Sequence, residues 1–471
     1  MPPMYIWACQ FPEISDLGVF LLGRLFGTDG ARGIANTEIS CELAMKIGRA
    51  TAMVLSENTA SKKLKVLIGT DTRKSADMLS SAIAAGFCSV GCDVLMLGVV
   101  PTPAVAFLVK EYSYDAGVMI SASHNTCEYN GIKIFRSNGY KLPDDMEERI
   151  EAIILDEIMP PPLKVGGEVG SITSGKNAVK DYIHHIENTA VAHFYGMRIA
   201  IDCANGSASE TANELFRRLG AECTVINCKP DGENINAASG STHIEVLQEY
   251  VRKNGFDLGF AFDGDADRLL CVDSDGKLVD GDKIIAICSK AMKQQGRLNA
   301  NTAVVTVMSN MGLFKFFEEN GINCEKTKVG DRYVLEEMLE KGYHIGGEQS
   351  GHIIFLDYAT TGDGQLSAVQ LLNIIRTTGR SLKELADEIE IYPQVLKNVR
   401  VSSLGKLRLT SDKDIKIAIE AAEKELGENG RVLVRASGTE PLVRVMLEGK
   451  DQAQIERLAE LISQVVKERL I

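Results

Sequence analysis

Three stretches of this chain share one pattern, and that pattern limits the folds open to it. Lys65-Val-Leu-Ile-Gly-Thr-Asp-Thr-Arg-Lys, Arg198-Ile-Ala-Ile-Asp-Cys-Ala-Asn-Gly and Ala303-Val-Val-Thr-Val-Met-Ser-Asn-Met-Gly each run from a short apolar segment into a loop rich in Gly or Asn. Short β-branched runs that stop this way read as buried strands. Helical spacing follows, as in Ala76 to Phe87 or Glu210 to Leu219. Strands alternating with helices predict α/β layers. Starts spaced by roughly 100–130 residues fit one per domain, and 471 residues suggest about three domains, give or take one. Likeness among the three stretches is slight, so a true repeat is only suggested. Leu396 to Leu407 and Val432-Leu-Val-Arg read as strands, and Asp412 to Leu426 and Ala453 to Leu470 as amphipathic helices. That end predicts a smaller α+β unit, entered through Ile389-Glu-Ile-Tyr-Pro-Gln.

Composition narrows the function classes. The 51 Lys+Arg against 64 Asp+Glu give a net charge of −13. So acidic a chain is a poor general nucleic-acid binder, although a local basic pocket for a phosphorylated metabolite stays open. No apolar run reaches the ~18 residues of a membrane span, so no membrane partner is expected. The eleven cysteines are scattered without a Cys-x-x-Cys pair, and read as reduced cytosolic thiols serving as small core residues. Residues 1–23 lack the basic start of a signal peptide, since the first Lys or Arg is Arg24. They read as an appendage outside the fold, with a docked strand as the alternative.

Five clusters have the residue types that chemistry needs. Asp263-Gly-Asp-Ala-Asp-Arg268 follows the apolar Leu258-Gly-Phe-Ala-Phe and crowds three carboxylates at alternate positions. Such crowding is costly unless a cation neutralises it, and all-oxygen ligands suit Mg²⁺ or Ca²⁺. The EF-hand template fails, because its sixth position is Arg268 and its twelfth Ser274. Mg²⁺ with open positions, suited to phosphate chemistry, is the better reading. Ser121-Ala-Ser-His-Asn125 with Asn130-Gly-Ile-Lys133 lacks the Gly-x-Ser-x-Gly elbow of a hydrolase. Its hydroxyl suits carriage of a phosphoryl group, although alone the segment also reads as a Ser-rich turn. Gly27-Thr-Asp-Gly-Ala-Arg32-Gly reads either as a phosphate-approaching loop or as a turn. Gly346-Gly-Glu348-Gln-Ser350-Gly-His352 offers groups for sugar hydroxyls, or is a polar hairpin. Arg435-Ala-Ser437-Gly-Thr439-Glu-Pro-Leu-Val-Arg444 reads as an anion nest.

Together and in this order, the five clusters resemble the α-D-phosphohexomutases, from about Arg24 to the C-terminus. The resemblance implies four domains around a central cleft: three similar α/β domains with mixed sheets, and a C-terminal α+β domain. It implies boundaries at 24–175, 176–275, 276–388 and 389–471. By motif, Ser123 matches the family's phosphoserine, and Asp263, Asp265 and Asp267 its ligands for one Mg²⁺ per chain, with the phosphoserine adding an oxygen. Arg268 would face that phosphate. Arg32, Lys133, His124 and His352 match acid/base and charge-stabilising positions. Glu348 and Ser350 match the sugar loop, and Arg435, Ser437, Gly438, Thr439 and Arg444 the distal phosphate loop. Gln349 points to members that act on glucosamine phosphates, with mannose or glucose phosphates as the runner-up and a non-catalytic sugar-phosphate sensor as the alternative outside enzymes. The implied reaction passes through phosphoserine and glucosamine 1,6-bisphosphate, which is intermediate and activator, and supplies amino-sugar precursors for cell-wall synthesis in the cytoplasm. His352 or Lys133 is favoured for the proton and Arg32 for charge. A homodimer stays open. The chain departs from the family in carrying Thr126 where Pro is common, and in residues 1–23, where Leu22 stands at a frequent Met. The expectation drawn from the second departure is an upstream or non-ATG start.

Overall fold

The computed structural model describes residues 24–27, 29–57, 63–158, 161–437 and 441–471. The appendage expected over 1–23 lies outside the described residues, as do Gly438 and Thr439. The three similar apolar stretches become the strands Lys65–Thr70, Arg198–Asp202 and Thr302–Thr306. Each is flanked on both sides by parallel partners, as near-continuous apolar runs should be. In the first unit, Lys65–Thr70 lies between Asp93–Val99 and Ala116–Ile120. In the second, Arg198–Asp202 lies between Glu222–Ile226 and Leu258–Phe262. In the third, Thr302–Thr306 lies between Asn323–Thr327 and Ile345–Gly347.

A fourth strand then returns antiparallel beside the third in every unit: Tyr129–Arg136, Leu269–Asp273 and Ile353–Phe355. The sheets are therefore mixed, and the repeat that the sequence only suggested is a repeat of topology. Its consequence is positional. The hairpin between third and fourth strands carries Ser123 in the first unit, Asp263 to Arg268 in the second, and Glu348 to His352 in the third. Each hairpin also holds a left-handed residue: Ser123 at φ 51°, Ala266 at φ 57° and Gly351 at φ 94°. Such residues let a short turn reverse direction while keeping its side chains at the sheet's end. At Gly351 an added Cβ would lie 2.3 Å from the Leu269 carbonyl oxygen, so the third hairpin rests directly on the second.

One continuous apolar core joins parts of the first three units, including Leu67, Phe135, Phe216, Phe260, Phe262 and Leu313. Through it runs the helix Gly364–Thr378, buried at every position from Gly364 to Ile375. Its polar Gln365, Gln370 and Asn373 donate to Thr211 and Thr189, so the helix can be buried all round in such a joint. The units are thus held as one frame around their hairpin ends.

The last unit is a three-stranded antiparallel sheet in the order Gln394–Arg400, Leu442–Gly449, Gly430–Ala436, backed by the helices Lys413–Leu426 and Gln452–Leu470. The expected strand Leu396 to Leu407 is corrected here: strand ends at Arg400, and Ser403–Arg408 is helix. The cause is a cap, because the Ser402 hydroxyl accepts the Gly405 N–H at 3.0 Å. This unit is anchored to the third by Glu448, which is fully buried. Glu448 accepts hydrogen bonds from Arg431 Nε at 2.7 Å and from the Met311 N–H at 3.0 Å.

Candidate active site

The first two hairpins meet at Ser123. Its hydroxyl donates to Asp263 Oδ2 at 2.7 Å, and only 1% of the residue is exposed. A non-glycine residue in the left-handed region costs about 1–2 kcal/mol, so something must hold it. Arg73 and Asn236 do so. Arg73 Nη2 donates to the Ser123 carbonyl at 3.1 Å and also to the Asn125 carbonyl. Asn236 Nδ2 donates to both carbonyls at 2.8 Å. The Arg73 guanidinium is paired with Asp71, and both side chains are fully buried. Burial pushes the Asp71 carboxyl upward, and Arg73 acts against that rise. Gly264 permits the close approach, since a Cβ there would lie 2.6 Å from the Ser123 carbonyl oxygen.

Asp263, Asp265 and Asp267 present oxygens that all lie within 4.8 Å of one another. Burial and the two neighbouring carboxylates drive Asp263 well above the usual range. Asp267 is buried too, but Lys133 and His352 hold it well below. Lys133 Nζ donates to Asp265 Oδ2 at 2.9 Å and to Asp267 Oδ2 at 3.4 Å, and lies 3.3 Å from Asp29 Oδ2. Burial alone would lower Lys133, yet Asp265, Asp29 and Asp267 raise it above its ordinary value. Thr102 Oγ1 adds a hydrogen bond to Asp265 Oδ2 at 2.6 Å.

A divalent cation fits this cluster. Asp265 Oδ1 and Asp267 Oδ1 are buried without a hydrogen-bond partner. Orphaned carboxylate oxygens in a three-carboxylate, all-oxygen donor set are what a hard cation satisfies. The basic groups alongside are orphaned in the complementary sense. Arg32 Nε and Arg268 Nε are buried donors without a hydrogen-bond acceptor, the latter 3.8 Å from Asp267 Oδ1. Both cations bear on His124, whose Nδ1 lies 3.4 Å from Ser123 Oγ. Burial, then Arg268 and Arg32, push that imidazole down to about 4, so it is neutral near pH 7. The residues around Ser123 thus offer oxygens for a cation and N–H groups for an anion.

His352 enters from the third hairpin. Its Nδ1 lies 3.6 Å from Asp267 Oδ2 and its Nε2 3.6 Å from Asp331 Oδ2. The Gly362 N–H donates to Nε2 at 3.0 Å, which places the neutral ring's proton on Nδ1, facing Asp267. Burial opposes a charge on His352, while Asp267 and Asp331 favour it and raise the ring above its ordinary value. Glu348 and Ser350 share this hairpin. Glu348 Oε1 accepts the Gly330 N–H at 3.1 Å, and Gln349 Nε2 donates to Asp280 Oδ2 at 3.1 Å.

The structure brings together Ser123, His124, Lys133, Arg32, Arg268, His352 and the three aspartates. Arg435, Ser437 and Arg444 belong to the separate sheet of the last unit. There Arg435 stands directly opposite Arg444 in the strand register. Like charges so placed repel, and burial with the Arg444 charge lowers the Arg435 guanidinium. An anion between them would relieve that repulsion. Sequence reading missed Asp71, Arg73, Thr102 and Asn236, and it missed Asp29 as a partner although Asp29 sits inside a quoted cluster. It also missed Lys141 and Asp331, which no motif marks.

The comparisons match the order of the four units. Four family models match in order: phosphoglucomutase/phosphomannomutase alpha/beta/alpha domain I over residues 23–159, domain II over 180–276, domain III over 280–392, and the C-terminal domain over 396–465. A phosphoglucosamine mutase of Clostridium novyi is 52% identical over 95% of this chain and 99% of its own length. One of Caldicellulosiruptor bescii is 54% identical over 95% and 100%. Among solved structures, a phosphoglucomutase/phosphomannomutase family protein from Burkholderia thailandensis superposes with a TM-score of 0.79 at 22% identity, covering 96% of this chain and 99% of its own. N-acetylphosphoglucosamine mutase from Aspergillus fumigatus, solved with GlcNAc-6P and magnesium, superposes with a TM-score of 0.68 at 16% identity, covering 95% and 96%. No helix among the described residues is long and apolar enough to cross a membrane.

Proposed function

This chain belongs to the phosphoglucomutase/phosphomannomutase family, and we propose that it interconverts glucosamine 6-phosphate and glucosamine 1-phosphate in the cytoplasm. The single observation that carries the reading is the Ser123 hydroxyl, donating at 2.7 Å to one of three clustered, buried aspartates. Relatives 52–54% identical that are named phosphoglucosamine mutase support the choice of sugar.

In this reading, phosphorylated Ser123 passes its phosphoryl group to the 1-hydroxyl of glucosamine 6-phosphate. The 1,6-bisphosphate turns in the cleft, and its 6-phosphate returns to Ser123. Asp263, Asp265 and Asp267, with a phosphoserine oxygen, would hold one Mg²⁺. That ion, when bound, neutralises charge at the transferring phosphoryl oxygens. Arg32, Arg268 and Lys133 supply fixed positive charge, and much of the rate comes from positioning and preorganised electrostatics. Lys133 is held as a cation and therefore serves charge. Proton acceptance at His352 Nε2 requires the Gly362 N–H to release that nitrogen. Glu348 and Ser350 take the sugar hydroxyls. Arg435, Ser437, Gly438, Thr439 and Arg444 hold the phosphate that is not reacting. We divide the chain at 24–175, 176–275, 276–388 and 389–471 on the same reading.

The test is to charge the enzyme with glucosamine 1,6-bisphosphate, map the modified residue by mass spectrometry, and assay conversion of glucosamine, glucose and mannose phosphates side by side. One phosphoryl group on Ser123 and preferred turnover of the glucosamine pair are expected. Phosphate on another residue, with Ser123 bare, refutes the reaction path; preferred turnover of mannose phosphates refutes the sugar.

A further inference from the structure

We propose that Lys141 and Asp331 are positioning residues for phosphoryl transfer, forming a charge bridge between the first and third units that fixes Asp29 and His352. The inference rests on the function read above and adds residues that none of the five clusters contains. Lys141 Nζ lies 2.5 Å from Asp29 Oδ1 and 2.6 Å from Asp331 Oδ2. Each of those carboxylates has a second obligation inside the site. Asp29 Oδ2 is paired with Arg32 and lies 3.3 Å from Lys133 Nζ. Asp331 Oδ2 lies 3.6 Å from His352 Nε2.

Followed onward, the contacts close on themselves. His352 Nδ1 lies 3.6 Å from Asp267 Oδ2, and that same oxygen lies 3.4 Å from Lys133 Nζ. The ring runs Asp29, Lys141, Asp331, His352, Asp267, Lys133 and back to Asp29. Carboxylates alternate with basic groups, and the members come from all three α/β units. A second clasp lies beside it. Arg332 Nη2 donates to the Leu142 carbonyl at 3.0 Å and approaches Glu147 Oε2 at 3.3 Å, and its other arm pairs with Asp144. The start of the helix Asp331–Lys341 is thereby locked to residues 141–147.

A surface ion pair of this kind contributes little to stability. Lys141 and Asp331 are instead mostly covered, at 15% and 16% side-chain exposure, and each is shared between two partners. Their role is geometric. With Lys141 present, Asp29 has one oxygen committed outward and one inward, so Arg32 and Lys133 face fixed partners. Without it, both Asp29 oxygens are free to turn toward the two site cations, and Asp331 loses the charge that holds it against His352. Displacing reacting groups by about 1 Å costs as much as 10²-fold in rate.

The experiment compares steady-state kinetics of the full chain, charged with glucosamine 1,6-bisphosphate, for the unaltered enzyme, Lys141→Met, Lys141→Arg and Asp331→Asn. We expect kcat of Lys141→Met to fall roughly 10- to 100-fold while KM moves within about threefold, with Lys141→Arg recovering most of the loss. A kcat within about twofold of the unaltered enzyme, or a loss lying wholly in KM, overturns the proposal. So does a Lys141→Arg variant as poor as Lys141→Met, because charge would then not be what matters. If Lys141→Met fails to fold, the isosteric Asp331→Asn is read on the same kcat and KM criteria. Failure of the unaltered enzyme on both glucosamine phosphates would instead sink the function reading, and the comparison would then be run on the hexose phosphate it does convert.

Discussion

Replacing Arg73 by Met tests how Ser123 is held. The Asp71–Arg73 pair is fully buried, and Arg73 also donates to two consecutive carbonyls of the serine loop. Breaking a buried pair from one side leaves an uncompensated charge and costs about 3–5 kcal/mol. The two carbonyls add little to this, because Asn236 Nδ2 still donates to both at 2.8 Å. The expected cost near pH 7 is therefore about 3–5 kcal/mol, falling to about 1–3 kcal/mol when Asp71→Asn removes the stranded charge. The sign with pH follows from Asp71. Its folded-state pKa is already raised by burial, and losing Arg73 raises it further. A group with a raised folded pKa contributes stability that is present below its unfolded value and is lost as pH climbs through the folded one. The deficit of Arg73→Met against the unaltered protein should therefore shrink on acidification toward the ordinary carboxylate range. A chain of four units need not unfold in one step. The assay is hence local: native-state hydrogen exchange of the strands Lys65–Thr70 and Ala116–Ile120 across pH, with kcat measured in parallel. A cost below about 1 kcal/mol, or a double variant no more stable than Arg73→Met, would falsify the reasoning.

Other perturbations probe the rest of the site. Ser123→Ala should lose nearly all turnover while keeping affinity for the sugar phosphates, checked by calorimetry beside the kinetic assay; normal turnover would move the nucleophile elsewhere. Gly264→Ala places a Cβ 2.6 Å from the Ser123 carbonyl oxygen and 2.7 Å from Asn236 Nδ2. Such overpacking costs about 1–3 kcal/mol and should depress kcat by separating the serine and aspartate hairpins, which a kinetic run with a melting curve reads directly. On the proposed function, Arg435→Ala removes a charge-assisted phosphate contact worth ~1.5–3 kcal/mol. It should weaken both glucosamine phosphates by similar factors, on the order of tenfold or more, and a loss confined to one isomer would deny the loop its service to both orientations.

Much of this protein was readable before any fold was known. Asp263 to Arg268 crowds three carboxylates that call for neutralising positive charge, and that local repulsion is a property of sequence spacing alone. The apolar runs at Lys65, Arg198 and Ala303 marked the central strands, because burial on both faces demands uninterrupted hydrophobic residues. The helix at Ser403–Arg408 escaped for a local reason: a hydroxyl cap outweighed an alternating pattern that resembled a strand. The residues that hold the site escaped for a different reason. Arg73 reads as a loop arginine, Asn236 as a turn residue, and Lys141 and Asp331 as surface charges. Each gains its role from partners far along the chain: Arg73 from Ser123, 50 residues away, Asn236 from Ser123, 113 away, and Lys141 from Asp331, 190 away. Sequence determined which chemistry the chain can carry, since ligand type and local charge are set by neighbouring residues. Only the tertiary structure decided that three topologically equivalent hairpins converge, because strand pairing and burial, which act over long sequence separations, bring separate stretches of chain to one point.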